Sequence, residues 1–295
     1  MLDWNAEKAR WPFSNCSLFP VVEGLRWHVQ MMGEGPPLLL VHGAGAAGHT
    51  WRGVLPRLLP HFSILNLDLP GHGFTPRPRA ARALSLPAMA NALARLLQHL
   101  DFTPQIALGH SAGAAILASM ALSGSCRPRL LVSLNGALLP LSGWRGLVFS
   151  PLARLSTRGH LLARLYAWRA QDPAAVARVI HSTGSHLDAE GVRLYQRLAS
   201  DEDHVAATLQ MMAQWELTPL AQNLPRLATP LVLIAARGDT AVAPSEATRV
   251  RLRVPGSRLI ELPQGGHLVH EEYPERIADL TCSLAREAGV LAKTD

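Results

Sequence analysis

Residues 105–113 read Gln-Ile-Ala-Leu-Gly-His-Ser-Ala-Gly, an apolar run that leads directly into a G-x-S-x-G motif. The residues that follow, 114–118, favour helix. A strand, a tight turn and a helix form the context in which this motif is a nucleophile elbow, with its serine lifted out of the sheet. The stretch therefore predicts that Ser111 is a catalytic nucleophile.

A nucleophilic serine needs a general base, and the base needs a group that orients it. In this architecture the chain order is serine, then acid, then histidine. Asp239 follows the apolar run 231–236, and His267 follows the strand-like run 258–262. In open α/β sheets, ligands bind at the carboxyl ends of the parallel strands. We therefore expect Asp239 and His267 to lie close to Ser111 at one edge of a sheet.

Three other residues compete for these roles. Asn135 follows the run 130–134, where some serine hydrolases place the acid, but its amide cannot carry the charge that stabilises an imidazolium. Asp68 precedes the elbow in the chain, and we expect it to brace its own loop. His110 is too close to the nucleophile to fold back as its base, so we expect it to pack or to line the pocket.

A second strand-like run, 37–41, ends in small residues at 43–46 that leave backbone N–H groups accessible. Such groups stabilise a developing oxyanion. We predict that the Ala44 N–H and the Ala112 N–H, which follows the nucleophile, form the oxyanion hole. His42 and Gly43 also turn the chain towards the next helix, and this structural role coexists with the functional one.

Strand and helix signals alternate along most of the chain, after an opening hairpin at 20–30 with its turn at Glu23-Gly24. We predict strands near 37–41, 62–67, 105–109 and 130–134, and helices near 48–60, 84–100 and 112–123. The pattern resumes at 229 and ends in a helix near 274–288. It predicts an α/β fold with a mostly parallel central sheet flanked by helices. Only helix-like segments occur between its halves, so we predict a core of 1–137 and 219–295 with a helical insertion at 138–218.

Composition excludes several classes of protein. The chain has 295 residues, of which 48% are hydrophobic, enough for a sizeable core. Its three cysteines are scattered, so we expect no disulfide framework, no zinc site and a reducing cytosol. We expect no signal peptide. The sequence contains no run of about 18 apolar residues, so we predict no membrane span. The net charge is +6, but the sequence contains no Arg-rich block, which argues against nucleic-acid binding. Binding to an anionic substrate or to an anionic membrane surface remains open.

Five motifs along nearly the whole chain resemble those of the α/β-hydrolase superfamily: 42–43, 68–73, 109–113, 238–239 and 266–267. The resemblance implies an α/β-hydrolase fold without a cofactor or metal, in which residues 138–218 are a lid over the active site. Ser111 departs from the haloalkane dehalogenases and epoxide hydrolases, which place Asp there. Esterases, lactonases, carbon–carbon bond hydrolases and cofactor-free perhydrolases keep the serine, and all four remain open.

Further stretches resemble a narrower group, the magnesium-chelatase accessory hydrolases of bacteriochlorophyll biosynthesis (the BchO group). They lie at 24–30, 135–140, 182–185, 187–191, 211–215 and 267–272. This resemblance implies a role around the insertion of magnesium into protoporphyrin, with chelatase subunits as partners. It also implies a cytoplasmic location, at or near the photosynthetic membrane. It supplies a pathway and leaves the reaction open.

The predicted lid combines apolar residues with arginines. This pattern suits a planar macrocycle that carries carboxylates, a helix lying on an anionic bilayer, or an ordinary amphipathic cap packed on the core. The candidate residues for substrate binding are His42, His110, Trp144, Arg145, Arg154, Arg158 and Trp215.

Two functional hypotheses follow. The first is a serine hydrolase that cleaves an ester-like acyl bond of a small molecule. The second is a non-catalytic accessory protein that binds a tetrapyrrole or chelatase subunits. The intact set of Ser111, Asp239 and His267 favours the hydrolase, because a pure binding protein has no chemical need for it.

Overall fold

The computed structural model describes residues 1–80, 82–140 and 160–292. The strands in this part of the chain are β1 (Ser17–Leu18), β2 (Val21–Val22), β3 (Leu25–Arg26), β4 (Val29–Met32), β5 (Pro37–Val41), β6 (Ser63–Leu67), β7 (Ile106–His110), β8 (Leu130–Leu134), β9 (Leu231–Ala236) and β10 (Arg258–Leu262). Eight of them form one sheet in the order β1-β4-β6-β5-β7-β8-β9-β10. From β6 to β10 all neighbours are parallel, whereas β1, β4 and β6 pair antiparallel.

Helices cover the sheet and fill the long connection between β8 and β9. In chain order the described α-helices are α1 (Trp4–Glu7), α2 (Leu55–Leu58), α3 (Leu86–His99), α4 (Ala112–Ser123), α5 (His160–Arg169), α6 (Pro173–His181), α7 (Ala189–Ala199), α8 (Glu202–Ala213), α9 (Thr218–Asn223), α10 (Pro244–Arg253), α11 (Val269–Glu272) and α12 (Pro274–Glu287). We refer to α5–α8 as the cap helices. None of the described helices is long and apolar enough to cross a membrane.

Alternating side chains of the central strands build two cores, one on each face of the sheet. In β5, Leu39 and Val41 join the core packed against α3 and α4, while Leu38 and Leu40 join the one packed against α2 and α12. These four side chains are fully buried. A strand buried on both faces reads as a continuous apolar run, which is why the sequence locates the central strands well.

The predicted fold class is confirmed, and one predicted element is wrong. Residues 48–60 are not a single helix but a 3₁₀ turn at Gly48–Trp51 followed by the short α2. The side chains of Asp68 and Asn66 bind the N–H and the carbonyl of Gly48 at 2.7 and 3.0 Å, respectively. These bonds fix the start of the segment as a tight turn, because the Gly48 carbonyl is already engaged outside the helix.

The predicted hairpin has its turn at Glu23 and Gly24, whose φ angles of 49° and 79° are those of a tight two-residue connection.

The loops after β5, β7, β8, β9 and β10 all leave the same edge of the sheet, because these strands are parallel. The candidate residues follow these strands in the chain.

Candidate active site

Ser111 occupies a sharp turn between β7 and α4. Its φ and ψ of 50° and −117° are unfavourable for a residue with a side chain. Close packing enforces the turn: a Cβ on Gly109 would lie 2.6 Å from the Ala114 nitrogen, and one on Gly113 would lie 2.3 Å from the Val41 carbonyl oxygen. Only glycine fits at either position, so both glycines of the motif hold the elbow that presents Ser111.

Asp239 and His267 form a hydrogen-bonded pair. The His267 Nδ1 lies 2.8 Å from the Asp239 Oδ2. The other carboxylate oxygen of Asp239 accepts bonds from the Ala241 and Val242 N–H groups, each at 2.8 Å. Because the carboxylate can only accept, Nδ1 carries the proton and the His267 Nε2 is left as a proton acceptor. This is the tautomer that a general base needs.

Two neighbours hold the backbone of His267 in place. Its carbonyl accepts bonds from the Asn135 Nδ2 at 3.0 Å and the His110 Nε2 at 2.9 Å. The His110 and His267 rings lie 4.6 Å apart between centroids. His110 directly precedes Ser111, so the pair places the histidine beside the elbow. The Ser111 hydroxyl makes no hydrogen bond to a described residue, and nucleophile–base bonds often tighten only when substrate binds.

The role of Asn135 was not predicted from the sequence. Its side chain is buried, its Oδ1 accepts a bond from the Ala236 N–H at 2.9 Å, and its Nδ2 also reaches the Gly266 carbonyl at 3.0 Å. The amide therefore joins the end of β9 to the loop that carries His267. The only signal in the sequence was its position after a parallel strand at the same edge as the other candidates.

The loop after β5 lies against the elbow. A Cβ on Gly43 would come within 2.9 Å of the Ser111 Cβ. Ala44 is exposed and lines the cavity, and none of the described residues accepts a hydrogen bond from its N–H. Ala112 is the first residue of α4, where helix N–H groups have no partner within the helix. Neither N–H group is bonded to a residue that the structure describes, and their role in an oxyanion hole stays a prediction.

His42 braces the same loop from behind. It is fully buried, with Nδ1 donating to the Gly43 carbonyl at 2.7 Å and Nε2 accepting from the Leu69 N–H at 2.9 Å. Burial lowers its pKa to about 3. With both ring nitrogens bound to backbone, His42 is not arranged for the substrate contact that we predicted. Trp215 likewise packs against the core and lies outside the described lining of the cavity.

Asp68 is a brace, as expected from its loop. Its carboxylate accepts bonds from the His28 ring at 2.7 Å and from the N–H groups of Gly48 and Phe74 at 2.7 and 2.9 Å. Burial alone would raise the pKa of Asp68, but His28 and these bonds outweigh it and lower the pKa to about 2. Since every one of these contacts is structural, Asp68 does not compete with Asp239.

A cavity of about 660 Å³ lies between the cap helices and these loops. Its floor includes Ala44, His110 and His267, and its lining is otherwise mostly apolar. The side chains of Arg169 and Arg178 reach it from the exposed surface of the cap. Trp144, Arg145, Arg154 and Arg158 lie outside the described residues. In the part of the chain that the structure describes, no group of His, Cys, Asp or Glu is arranged to hold a metal ion.

Because several histidines are buried, we predict that the folded protein loses stability in acid. Burial lowers the pKa of His42 and His72 from 6.5 to about 3, and that of His204 to about 4. The unfolded chain therefore binds more protons than the native protein below pH 6.5, and stability falls as the pH drops. Relative to neutral pH, we expect His42 and His72 each to lower the free energy of unfolding by about 2 kcal/mol at pH 5.

Urea unfolding at pH 7.5 and pH 5 measures this loss. His204→Asn is the informative variant. The Oδ1 of the asparagine can accept the Gly73 N–H in place of the His204 Nδ1, which accepts it at 3.2 Å, and an asparagine side chain does not titrate. The stability of this variant should vary less with pH than that of the wild type. A urea midpoint that does not change with pH would contradict the assignment of these histidines as neutral.

Comparisons with known proteins agree with this geometry. The family model for the alpha/beta hydrolase fold matches residues 36–274. The magnesium-chelatase 30 kDa subunit of Rhodobacter capsulatus is 39% identical over 276 residues, 92% of this chain and 94% of the relative. A pimeloyl-[acyl-carrier protein] methyl ester esterase of Vibrio vulnificus is 27% identical, covering 88% of this chain and 97% of its own.

Among solved structures, an alpha/beta hydrolase fold protein from Burkholderia ambifaria superimposes with a TM-score of 0.76 at 23% identity. The match covers 91% of this chain and 97% of that protein. At this identity it bears on the fold alone. The match of the family model over residues 36–274, most of the sequence, shows that the chain belongs to the α/β-hydrolase family.

Proposed function

We propose that the protein is a serine hydrolase that cleaves an ester-like acyl bond. The observation that carries the proposal is the 2.8 Å bond between Asp239 and His267, since His267 lines an apolar cavity and lies beside the Ser111 elbow. Hydrolysis by covalent catalysis needs a nucleophile, a base with a free nitrogen, and a group that orients the base. These three residues supply the three parts in the chain order typical of the fold.

In the proposed reaction the Ser111 Oγ attacks the acyl carbon while His267 Nε2 takes the hydroxyl proton. The negative charge moves to the former carbonyl oxygen, where the N–H groups of Ala44 and Ala112 stabilise it. The intermediate collapses as His267 gives its proton to the departing alkoxide, which leaves as the alcohol. Water then attacks the acyl-enzyme, with His267 again taking and returning a proton, and the acid is released with Ser111 restored.

We propose that the substrate is an ester of a carboxylated tetrapyrrole and that the protein acts on it as an accessory of magnesium chelatase. Support comes from the relative named as a magnesium-chelatase subunit and from the size and apolar lining of the cavity. Arg169, which has no ion pair with a described residue, lies where a carboxylate of such a ligand would sit. We also propose that residues 138–218 act as the lid, since the described cap helices supply one wall of the cavity.

The cap also supports a peripheral membrane contact. Leu165, Tyr166, Trp168 and Val179 are large apolar side chains on the cap helices that remain more than half exposed. Tyr166 and Val179 also line the cavity, so its mouth opens among them. Apolar side chains beside arginines suit an anionic lipid surface. We propose that an apolar substrate enters from this side.

A non-catalytic role is the second candidate, because the relative with the higher identity is named as a chelatase subunit rather than as a hydrolase. In that case the cavity would act as a receptor for the tetrapyrrole. The two candidates differ in turnover and share ligand binding, so one experiment with both readouts separates them.

We expect the protein to hydrolyse 4-nitrophenyl octanoate better than the acetate, because the cavity is apolar. We expect protoporphyrin IX to inhibit this hydrolysis competitively and to shift its own Soret band in a saturable titration. Arg169→Gln should weaken inhibition about two- to fivefold, as is usual for an exposed ion pair. Arg253→Gln, on α10 outside the described cavity lining, is the matched control, and albumin controls for nonspecific apolar uptake.

Saturable binding without turnover would favour the accessory role over the hydrolase. No saturable binding at micromolar protein, combined with normal turnover, would remove the tetrapyrrole from the proposal and leave an esterase-like hydrolase.

A further inference from the structure

Residues 182–186, in the connection between α6 and α7, pack against two loops of the core; we call them the clamp loop. The acid loop (237–243) carries Asp239, and the base loop (263–268) carries His267. The backbones are in direct contact: a Cβ on Gly184 would lie 1.9 Å from the Gly238 carbonyl oxygen, and one on Gly266 would lie 2.2 Å from the Gly184 carbonyl carbon. A segment of the cap thus touches both loops.

One carbonyl of the clamp loop bridges the acid and base loops. The Thr183 carbonyl accepts a bond from the His267 N–H and another from the Thr240 N–H, each at 3.2 Å. The adjacent Ser182 carbonyl accepts the Thr240 hydroxyl at 2.7 Å. Because Thr240 directly follows Asp239, these bonds, together with the direct 3.0 Å bond from the Gly238 N–H to the Gly265 carbonyl, fix the two partners of the His267–Asp239 bond relative to one another.

Side chains hold the base loop on either side of His267. The Ser185 Oγ accepts the Leu268 N–H at 2.8 Å, and Ser185 is fully buried. The Glu272 carboxylate accepts the Gly266 N–H at 2.7 Å and, through its other oxygen, the His186 N–H at 3.0 Å. The three consecutive N–H groups of residues 266–268 therefore all end on the clamp loop or on a carboxylate that the clamp loop shares.

We infer that the clamp loop positions His267 against Asp239, with Ser185 as its principal positioning residue, so that the cap governs the geometry of the catalytic pair. This inference rests on the proposed function. It assigns the cap a second task besides forming the cavity wall. Displacement of the clamp loop would release four hydrogen bonds at once, two to residue 240 and one each to residues 267 and 268. A cap that moves away would therefore switch off the base as it opens the cavity.

Ser185→Ala tests the inference, with Ser257→Ala as the matched control. The Ser257 hydroxyl donates to the Val254 carbonyl at 2.8 Å, and Ser257 lies outside the clamp loop and the described cavity lining. We expect Ser185→Ala to lower kcat for 4-nitrophenyl octanoate about ten- to a hundredfold, since a displacement of about 1 Å can cost a hundredfold. KM should change less than about twofold, because Ser185 lies outside the described cavity lining.

A proton NMR signal reports the pair itself. The His267 Nδ1 proton, shared with Asp239, should appear far downfield in protein labelled with ¹⁵N-histidine, and be absent from His267→Gln. We expect Ser185→Ala to shift or broaden it and Ser257→Ala to leave it unchanged. Should Ser185→Ala fail to fold, Glu272→Gln takes its place. The two carboxylate oxygens accept the His186 and Gly266 N–H groups separately, and an amide places an NH₂ donor opposite one of them.

The outcomes separate the two proposals. If Ser185→Ala melts like the native protein and has the same kcat and NMR signal as Ser257→Ala, the clamp is overturned while the hydrolase stands. Absence of wild-type turnover would overturn the hydrolase, and the NMR comparison would then decide the clamp by itself. Loss of kcat together with the altered signal, in a variant that melts normally, is the result we expect.

Discussion

We expect hydrolysis of a 4-nitrophenyl ester to fall about 10⁶-fold when Ser111 is replaced by alanine, the loss measured for the nucleophile of another serine hydrolase. The substitution removes only the Oγ that forms the acyl bond. The elbow should survive, because the packing of Gly109 and Gly113 against the neighbouring backbone fixes its geometry, and an alanine carries the same strain at φ 50° as the serine does.

Steady-state rates and thermal unfolding of the purified variant test this expectation. Ser123→Ala is the control, since its hydroxyl lies at the far end of α4 and donates to the Met120 carbonyl at 3.0 Å. It should keep wild-type turnover. If Ser111→Ala retains wild-type rates in a protein free of contaminating esterases, the motif is structural and the protein is not a serine hydrolase through this residue.

Asp239→Asn should lower kcat about 10⁴-fold, by analogy with the loss of the orienting carboxylate in a serine protease. The contacts of Asp239 explain why. The N–H groups of Ala241 and Val242 both donate to its Oδ1, so the asparagine must keep its oxygen there and turn its NH₂ towards His267. The Nδ1 of His267 then becomes the acceptor, and Nε2 carries the proton that the base needs to be without.

The measurement is kcat and KM for the same ester, with Asp279→Asn on the exposed side of α12 as a control for the loss of one carboxylate. KM should stay near the wild-type value, because Asp239 lies outside the described cavity lining. A loss of less than about tenfold would mean that the carboxylate is a structural partner of His267 and that another group orients the base.

The central strands could be predicted from the sequence because each is apolar on both faces, and the final helix because its apolar residues recur at helical spacing. The segment after β5 could not. Its turn depends on Asp68 and Asn66, which belong to another part of the chain and bind Gly48 from the side. Apolar spacing favours a helix there, but Gly53, Pro56 and the tertiary hydrogen bonds interrupt it.

The candidate site shows the same division. The order and strand-end positions of Ser111, Asp239 and His267 follow from the topology alone, because parallel strands end at one edge. The bonds that hold His267 do not. Asn135 and Ser185 reach it from segments distant in the chain, and nothing in their local sequence marks which backbone group they bind. For the same reason the burial of both ring nitrogens of His42 was not foreseen.

Labelling with a fluorophosphonate is the most direct test of the claim that Ser111 is an activated nucleophile. Such a probe phosphonylates a serine hydroxyl only where a neighbouring base and an oxyanion site activate it. Intact-mass and peptide analysis of the native protein should show one adduct, on the peptide that contains Ser111, and none after denaturation or in Ser111→Ala. No adduct on the native wild-type protein, or an adduct that persists in Ser111→Ala, would contradict the account.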